Sequence, residues 1–207
     1  METLNPKWGH KYARKADVFA TTPWWKAEAR EVLSHIPYPV TEVMDLGCNT
    51  GRFIGLCKTG LDEGVNYYGV DVNPAALTIA AQRHTDCSFY RTPSLVPDGI
   101  GFVAFIHTIN QVEDLDTLLG GVWDRMTPGA KIVVVTHNPL PARLRKPLNL
   151  FNGYKPDATM VREPTMGELK QLMYENGFRC EQAYYFGKFP IPFLRRRMIF
   201  VGVKPEV

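Results

Sequence analysis

The stretch Val43-Met44-Asp45-Leu46-Gly47-Cys48-Asn49-Thr50-Gly51 constrains this chain more than any other. An acid ends a short apolar run, small residues turn the chain, and a helical pattern begins at Arg52. Glycine lets the backbone approach a ligand without a Cβ in the way, and a helix N-terminus points unpaired N–H groups outward. A second acid, Asp71 in Gly69-Val70-Asp71-Val72-Asn73, follows Gly51 by 20 residues. That is about the spacing at which a carboxylate meets the ribose hydroxyls of a nucleotide cofactor. A phosphate loop needs Gly-Lys-Ser/Thr, but Gly51 is followed by Arg52 and Phe53. A dinucleotide fingerprint needs G-x-G-x-x-G, and here the glycines stand as G-x-x-x-G. Asp45 would also repel a pyrophosphate, and it favours a cationic ligand carrying a free amino group.

The rest of the chain frames this unit as α/β. A helix is expected from Thr22, with Trp25, Ala29, Val32, Leu33 and Ile36 on one face, ended by Pro37 and Pro39. Strands are expected at Glu42–Leu46, Tyr67–Val72, Ser88–Arg91, Phe102–His107 and Lys131–Thr136. Asn73 and Pro74 start an Ala-rich helix to His84, and Val112, Leu115, Leu119, Val122 and Met126 share a helical face. Thr127-Pro128-Gly129 reads as a turn before the fifth strand. Residues 137–163 read as a lid or binding loop, or as a disordered segment. Thr165-x-x-Glu168 is a capping box for a last helix, followed by an antiparallel pair, Arg179–Phe186 and Met198–Val203.

The length, 207 residues, suits one domain that buries about 70% of its unfolded surface without a disulfide or metal staple. We expect a single domain over 1–207: a helical lid at 1–39, a cofactor half at 40–139, and a substrate-side loop, helix and hairpin at 140–207. No apolar run approaches the roughly 18 residues of a membrane span, and no signal peptide is expected. Cys48, Cys57, Cys87 and Cys180 form no C-x-x-C pair and read as reduced thiols of a cytoplasmic protein. The five histidines form no metal-ligand pattern, so no metal is expected. Net charge is +3, but residues 1–139 carry 12 basic and 15 acidic residues and residues 140–207 carry 12 and 6. The basic tail raises the possibility of an anionic partner, testable at Arg143 and Arg145. A nucleic-acid partner is not favoured by so even a total. Arg195-Arg196-Arg197 reads as a solvated turn, with a grip on an anionic acceptor as the alternative.

The run Asp45-Leu46-Gly47-Cys48-Asn49-Thr50-Gly51 resembles the first motif of class I S-adenosylmethionine-dependent methyltransferases, and Gly-Val-Asp-Val-Asn at 69–73 resembles their second acidic motif. Ile109–Asp114, Met126–Ala130 and Asp157–Arg162 match later pieces, so the resemblance spans roughly residues 40–205. It implies a Rossmann-like, seven-stranded, mostly parallel sheet with an antiparallel C-terminal strand, helices on both faces and a short N-terminal helical lid. It also implies S-adenosylmethionine as cofactor. Carried over residue by residue, Asp45 reaches the methionine amino group and Gly47, Cys48, Asn49 and Gly51 form a backbone cradle. Asp71 accepts the ribose hydroxyls with Val72 under the adenine. Thr92 and Pro93 border the adenine, and Ile106 and His107 the sulfonium end. The sequence departs from the family at Asn49, Thr92, Gly101, Gln111 and Met160.

The resemblance implies methyl transfer to oxygen or nitrogen of a small-molecule acceptor. His107 and His137, each at the end of a strand, are the candidate bases. Glu163 and Asp157 are weaker ones. Trp8, Tyr12, Trp24 and Trp25 read as an aromatic lid, with Tyr12 toward the methionine end and Trp25 on the core face. The alternatives are a non-catalytic cofactor-binding protein and an RNA or tRNA methyltransferase.

Overall fold

The computed structural model describes residues 9–140, 160–192 and 195–206, without the side chains of Lys11 and Ala16. Trp8, Arg143, Arg145, Asp157 and most of the expected loop over 137–163 lie outside the described residues.

Seven strands form one sheet in the order β3-β2-β1-β4-β5-β7-β6. They are β1 Glu42–Leu46, β2 Asn66–Val70, β3 Ser88–Tyr90, β4 Ile100–Ile106, β5 Met126–His137, β6 Arg179–Phe186 and β7 Arg197–Val203. β1 to β5 pair in parallel. β7 is antiparallel to both β5 and β6. The helices are α1 His10–Phe19, α2 Pro23–Leu33, α3 Arg52–Gly60, α4 Pro74–Arg83, α5 Leu115–Arg125 and α6 Met166–Glu175.

Strand alternation divides the core into two layers. Val103 and Phe105 of β4 and Ile132 and Val134 of β5 meet Leu115, Leu119 and Val122 of α5 and Leu169 and Met173 of α6. Phe102, Ala104, Val133 and Val135 face the opposite way, against Trp25, Ala29 and Val32 of α2 and Phe53, Ile54 and Cys57 of α3. Both faces are thus covered, which is why β4 reads as a continuous apolar run. α2 therefore packs as part of a helical layer.

The local signals act where expected. The Thr22 and Asn73 side chains cap α2 and α4, each followed by proline. Thr165 and Glu168 complete a reciprocal capping box on α6. Two expectations are corrected. Val112 lies before α5, whose N-cap is Asp114, accepting from the Thr117 amide. Thr127-Pro128-Gly129 is not a turn outside the sheet: β5 starts at Met126, which pairs with Ile100, and a register shift between Ile100 and Phe102 absorbs Gly129 at φ +79°.

α1 is held by one carboxylate. Asp17 accepts from Thr50 Oγ1, from Arg52 Nε at 2.8 Å and Nη2 at 2.9 Å, and from Arg83 Nη1 at 3.0 Å. Arg83 also donates to the Thr50 carbonyl at 2.6 Å. The Arg52 hydrogen bond above all holds the Asp17 carboxyl well below the usual carboxylate range. A depressed folded pKa gives stability that is present above the unfolded value and is lost as pH falls through the folded one. Asp17→Asn is expected to speed amide exchange across His10–Phe19 by about tenfold or more, the scale of one lost charged hydrogen bond. Exchange at the wild-type rate would show that α1 is held by other contacts.

Candidate active site

The strand order reverses between β1 and β4, and open α/β sheets bind ligands in the crevice outside the carboxyl ends of strands at such a point. Asp45 lies in register between Gly69 of β2 and Ala104 of β4. Asp71 follows β2 directly, and His107 follows β4.

The turn after β1 is built by close approach. Gly47 has φ +81°, and a Cβ there would stand 2.0 Å from Thr108 Oγ1. Gly51 has φ +76° and precedes α3, with its carbonyl 2.9 Å from His84 Nε2. Asn49, at the position where the family usually has glycine, adopts φ +46°; asparagine tolerates this region better than most residues. Gly69 leaves room for Phe89 and Cys48, since a Cβ would fall 2.8 Å from Cys48 Sγ.

Four amides of this turn are engaged within the protein. Gly47 and Cys48 donate to the Val70 carbonyl at 2.7 and 3.0 Å, and Gly51 to the Cys48 carbonyl at 2.9 Å. The Asn49 amide donates to Asp71 Oδ2 at 2.9 Å, and the Asn73 amide to Oδ1 at 2.8 Å. Asp71 thus locks the two loops together, with one acceptor direction left on each oxygen. Those four amides leave a ligand close backbone approach rather than donors, while α3 begins after Gly51 with no side-chain cap on its first amides.

Asp45 is buried, and burial followed by the Asp71 charge pushes its carboxyl up to about 8. Burial raises Asp71 also, against the two backbone amides it accepts from. No Lys or Arg among the described residues pairs with either acid. Asn49 Oδ1 is buried without a partner. A buried and a partly buried carboxyl group with an unused carbonyl oxygen suit a ligand with a cationic amino group and hydroxyl donors. The observed acceptor set therefore fits S-adenosylmethionine.

The remaining candidates ring this crevice unevenly. Val72 is 50% exposed, an apolar side chain available to a flat ring. Thr92 bonds Ser94 through their hydroxyls at 3.0 Å. Pro93 is buried, close enough to Gly121 of α5 that a Cβ there would come within 3.2 Å of its ring. Tyr12 accepts from Gln111 Nε2 at 2.9 Å, joining α1 to the turn after β4. Asn110 accepts from Thr136 and from the Val161 amide, and donates to the Arg162 carbonyl at 3.0 Å. Residues 160–162 are thereby docked beside the ends of β4 and β5. Ile106 is partly buried, and Glu163 is half-buried.

His107 and His137 come together, with ring centroids 5.0 Å apart. His107 has φ +58°. Its Nε2 lies 2.6 Å from Glu28 Oε2, and Arg197 Nε lies 2.8 Å from Glu28 Oε1. Burial lowers His107, partly offset by Glu28, and lowers His137 to about 3, helped by His107 and Arg197. The Arg197 guanidinium lies over Trp24 at 5.0 Å, and Trp24 meets Phe19 edge-on at 4.3 Å. Trp25 is in the core, as its helix face indicates.

The solvated reading of the arginine run is corrected here. Arg197 is buried, and Arg195 clamps the hairpin through the Phe189 and Tyr185 carbonyls at 2.9 and 3.0 Å. Sequence reasoning missed Glu28 and Arg197. The available signal was a carboxylate three residues after Trp25, on the face that Ala29 and Val32 bury.

A buried acid at about 8 makes ligand affinity depend on pH. Its folded value lies above the unfolded one, so stability falls as pH rises from about 4 to 8 and is flat beyond. An ammonium beside Asp45 favours the charged carboxylate. S-adenosylmethionine is expected to bind more tightly from pH 6 to 8, with net proton release seen as a buffer-dependent calorimetric heat. Asp45→Asn is expected to flatten that dependence; an unchanged slope would place the ionisation elsewhere.

No described helix is long and apolar enough to cross a membrane. Among the described residues no group of three or more His, Cys, Asp or Glu could hold a metal ion.

Comparison with known proteins agrees with this geometry. Solved structures share the fold at low identity. A chain from a complex containing the Haloferax volcanii Trm112 methyltransferase activator aligns with TM-score 0.74 and 15% identity, over 95% of this chain and 96% of that one. A SAM-dependent methyltransferase from Aquifex aeolicus gives 0.71 and 14%, over 94% and 98%. Geranyl diphosphate C-methyltransferase from Streptomyces coelicolor, in complex with S-adenosyl-L-homocysteine, gives 0.66 and 13%, over 86% and 80%. No curated protein matches the sequence. The family model described as a methyltransferase domain matches residues 12–183. With the two acidic loops and the reversed strand order, that match establishes the chain as a member of the methyltransferase domain family, an S-adenosylmethionine-dependent enzyme of the class I, Rossmann-like type.

Proposed function

We propose that the enzyme methylates an oxygen or nitrogen of a small-molecule acceptor, working as a single domain. The observation that carries this reading is the histidine pair. His107 and His137 stand together at the ends of β4 and β5, beside Phe19 and the Trp24–Arg197 stack. Such a compact cluster of aromatic rings around a few fixed polar groups suits a small molecule.

Bound S-adenosylmethionine supplies an electrophilic methyl group on a sulfonium. Asp45 is assigned to its ammonium and Asp71 to its ribose hydroxyls. The turn of Gly47, Cys48, Asn49 and Gly51 gives the backbone surface it lies on. Val72, Thr92 and Pro93 are assigned to the adenine side, and Tyr12, Ile106 and His107 to the methionine and sulfonium end. The protein's main work is then alignment and exclusion of water, which can lower a barrier by about 7–11 kcal/mol. His107 or His137 takes the acceptor's proton where that acceptor has one to lose.

The test is metabolite profiling. The enzyme and S-adenosylmethionine are added to a small-molecule extract, and a product heavier by one methylene is expected. Cofactor binding with no product from any extract would favour a non-catalytic cofactor-binding protein. Salt-sensitive RNA binding with methylated RNA would favour the nucleic-acid reading. Arg197 is engaged by Glu28, which takes it out of reach as a free anion ligand. An anionic acceptor therefore rests on the tail charges, and charge reversal at Arg143 and Arg145 tests it through the acceptor KM. All four cysteines are free, which suits a reducing compartment, and we place the reaction in the cytoplasm.

A further inference from the structure

We propose that Glu28 is a positioning residue that fixes the His107 ring with its lone pair on Nδ1, and that the acceptor this arrangement serves carries a hydroxyl group. The inference rests on the proposed function, in which His107 faces the acceptor.

The geometry settles the tautomer. A carboxylate only accepts, so the 2.6 Å contact between Glu28 Oε2 and His107 Nε2 puts the ring proton on Nε2. Nδ1 then carries the lone pair, and it is buried without a partner. Glu28 itself is held on both sides. Its second oxygen meets Arg197 Nε at 2.8 Å, and Arg197 is in turn stacked on Trp24. The Glu28–Arg197 pair alone would tie α2 to β7. A histidine added to it with a buried, unmatched lone pair is costly for a ring with only a packing role. The left-handed backbone at His107, φ +58°, is a second cost at the same residue.

The charges select the acceptor. The groups facing His107 are Glu28 from α2, Arg197 from β7 and His137 from β5. Glu28 and Arg197 oppose one another in sign, with Glu28 the stronger on His107, and burial keeps His107 and His137 uncharged. A neutral amine attacks with its own lone pair and can shed its proton after the transfer. A phenol-like hydroxyl, with a pKa of about 10, is still protonated at neutral pH and gains from a base during the transfer. As the acceptor oxygen bonds the methyl carbon, the carbon–sulfur pair stays on sulfur as a neutral thioether. The hydroxyl proton passes to His107 Nδ1. The imidazolium so formed lies against the Glu28 carboxylate and later returns its proton to solvent.

The experiment has two arms. In the first, the full-length protein labelled with nitrogen-15 histidine is followed by NMR from pH 6 to 8. His107 is expected to carry its proton on Nε2 throughout, and Glu28→Gln is expected to lose that fixed tautomer and bind the ring proton less well. A wild-type His107 protonated at Nδ1 overturns the proposal, whether or not any variant folds. In the second arm, thioether product is measured with catechol and 4-hydroxybenzoate, and with phenethylamine as the amine control. Transfer to a phenol is expected. Glu28→Gln should lower kcat about 100-fold while leaving KM and cofactor Kd within about twofold, and should move the acid limb of the kcat profile to lower pH. A loss confined to KM, or an unmoved pH limb, overturns the positioning role. Transfer to the amine and to neither phenol overturns the hydroxyl assignment and leaves the proposed function standing. Failure of the wild-type protein to bind the cofactor would instead sink the functional reading beneath it.

Discussion

Asp71→Ala is expected to weaken S-adenosylmethionine binding by at least about tenfold, and a loss nearer 100-fold follows if both effects of the change add. One effect is the loss of an acceptor pair for the ribose hydroxyls. The other is structural, because the carboxylate takes the Asn49 amide on one oxygen and the Asn73 amide on the other. Its removal leaves two loop amides without acceptors, and these loops shape the cofactor crevice. Asp71→Asn separates the effects. Its single carbonyl oxygen can keep one loop amide and loses charge, so an intermediate Kd is expected. Calorimetric titration at fixed pH and salt measures all three. An Asp71→Ala protein that binds the cofactor like wild type would remove Asp71 from the site.

The second large effect is at Gly47. An alanine Cβ there would sit 2.0 Å from Thr108 Oγ1 and 2.5 Å from Thr108 Cγ2, at a φ of +81°. Left-handed backbone costs a non-glycine residue of order 1 kcal/mol or more, and overpacking adds about 1–3 kcal/mol. A total of about 3 kcal/mol in a chain this size lowers Tm by about 6–12 °C. Gly47→Ala with Thr108→Gly clears the clash and leaves the φ cost, so the pair should recover part of the loss. Additive losses in that double-mutant cycle would show that the two loops do not press on one another.

Much of the cofactor side was legible because its signals are local. Asp45, Gly47 and Gly51 lie within seven residues, and the caps Thr22, Asn73 and Thr165 act within one turn of chain. Asp71 was legible from its spacing alone. The α/β class followed from alternating elements, and the antiparallel pairing of β6 with β7 from the prolines between them. What escaped was non-local. Asp17 looks like any polar residue of a short helix, and only the fold brings it to Arg52 and Arg83. Glu28 sat on an apolar face, where it passed for an ordinary helical acid. Arg197 was read with its two neighbours as solvated, although strand alternation separates its direction from that of Arg196. The internal bonding of the Gly47–Gly51 turn escaped as well. Sequence shows that a turn has N–H groups but not that the Val70 and Cys48 carbonyls already take them.

The place of β7 has a consequence for how the enzyme is made. It is the last of the described strands in chain order, yet it lies inside the sheet, between β5 and β6. A nascent chain can form β1 to β5, with Asp45, Asp71 and the turn between them, while the inner edge of β5 at Ile132–Val135 is still unpaired. Such an open apolar edge invites pairing with another chain. The window closes only when Met198 to Val203 emerge and insert. Arg197 arrives in the same stroke and meets Glu28, an early residue that has waited without its counter-ion. Cofactor recognition can therefore precede completion of the acceptor side, and chains shortened before Arg197 should be prone to aggregate as well as unable to assemble the Glu28–His107 dyad in its final form.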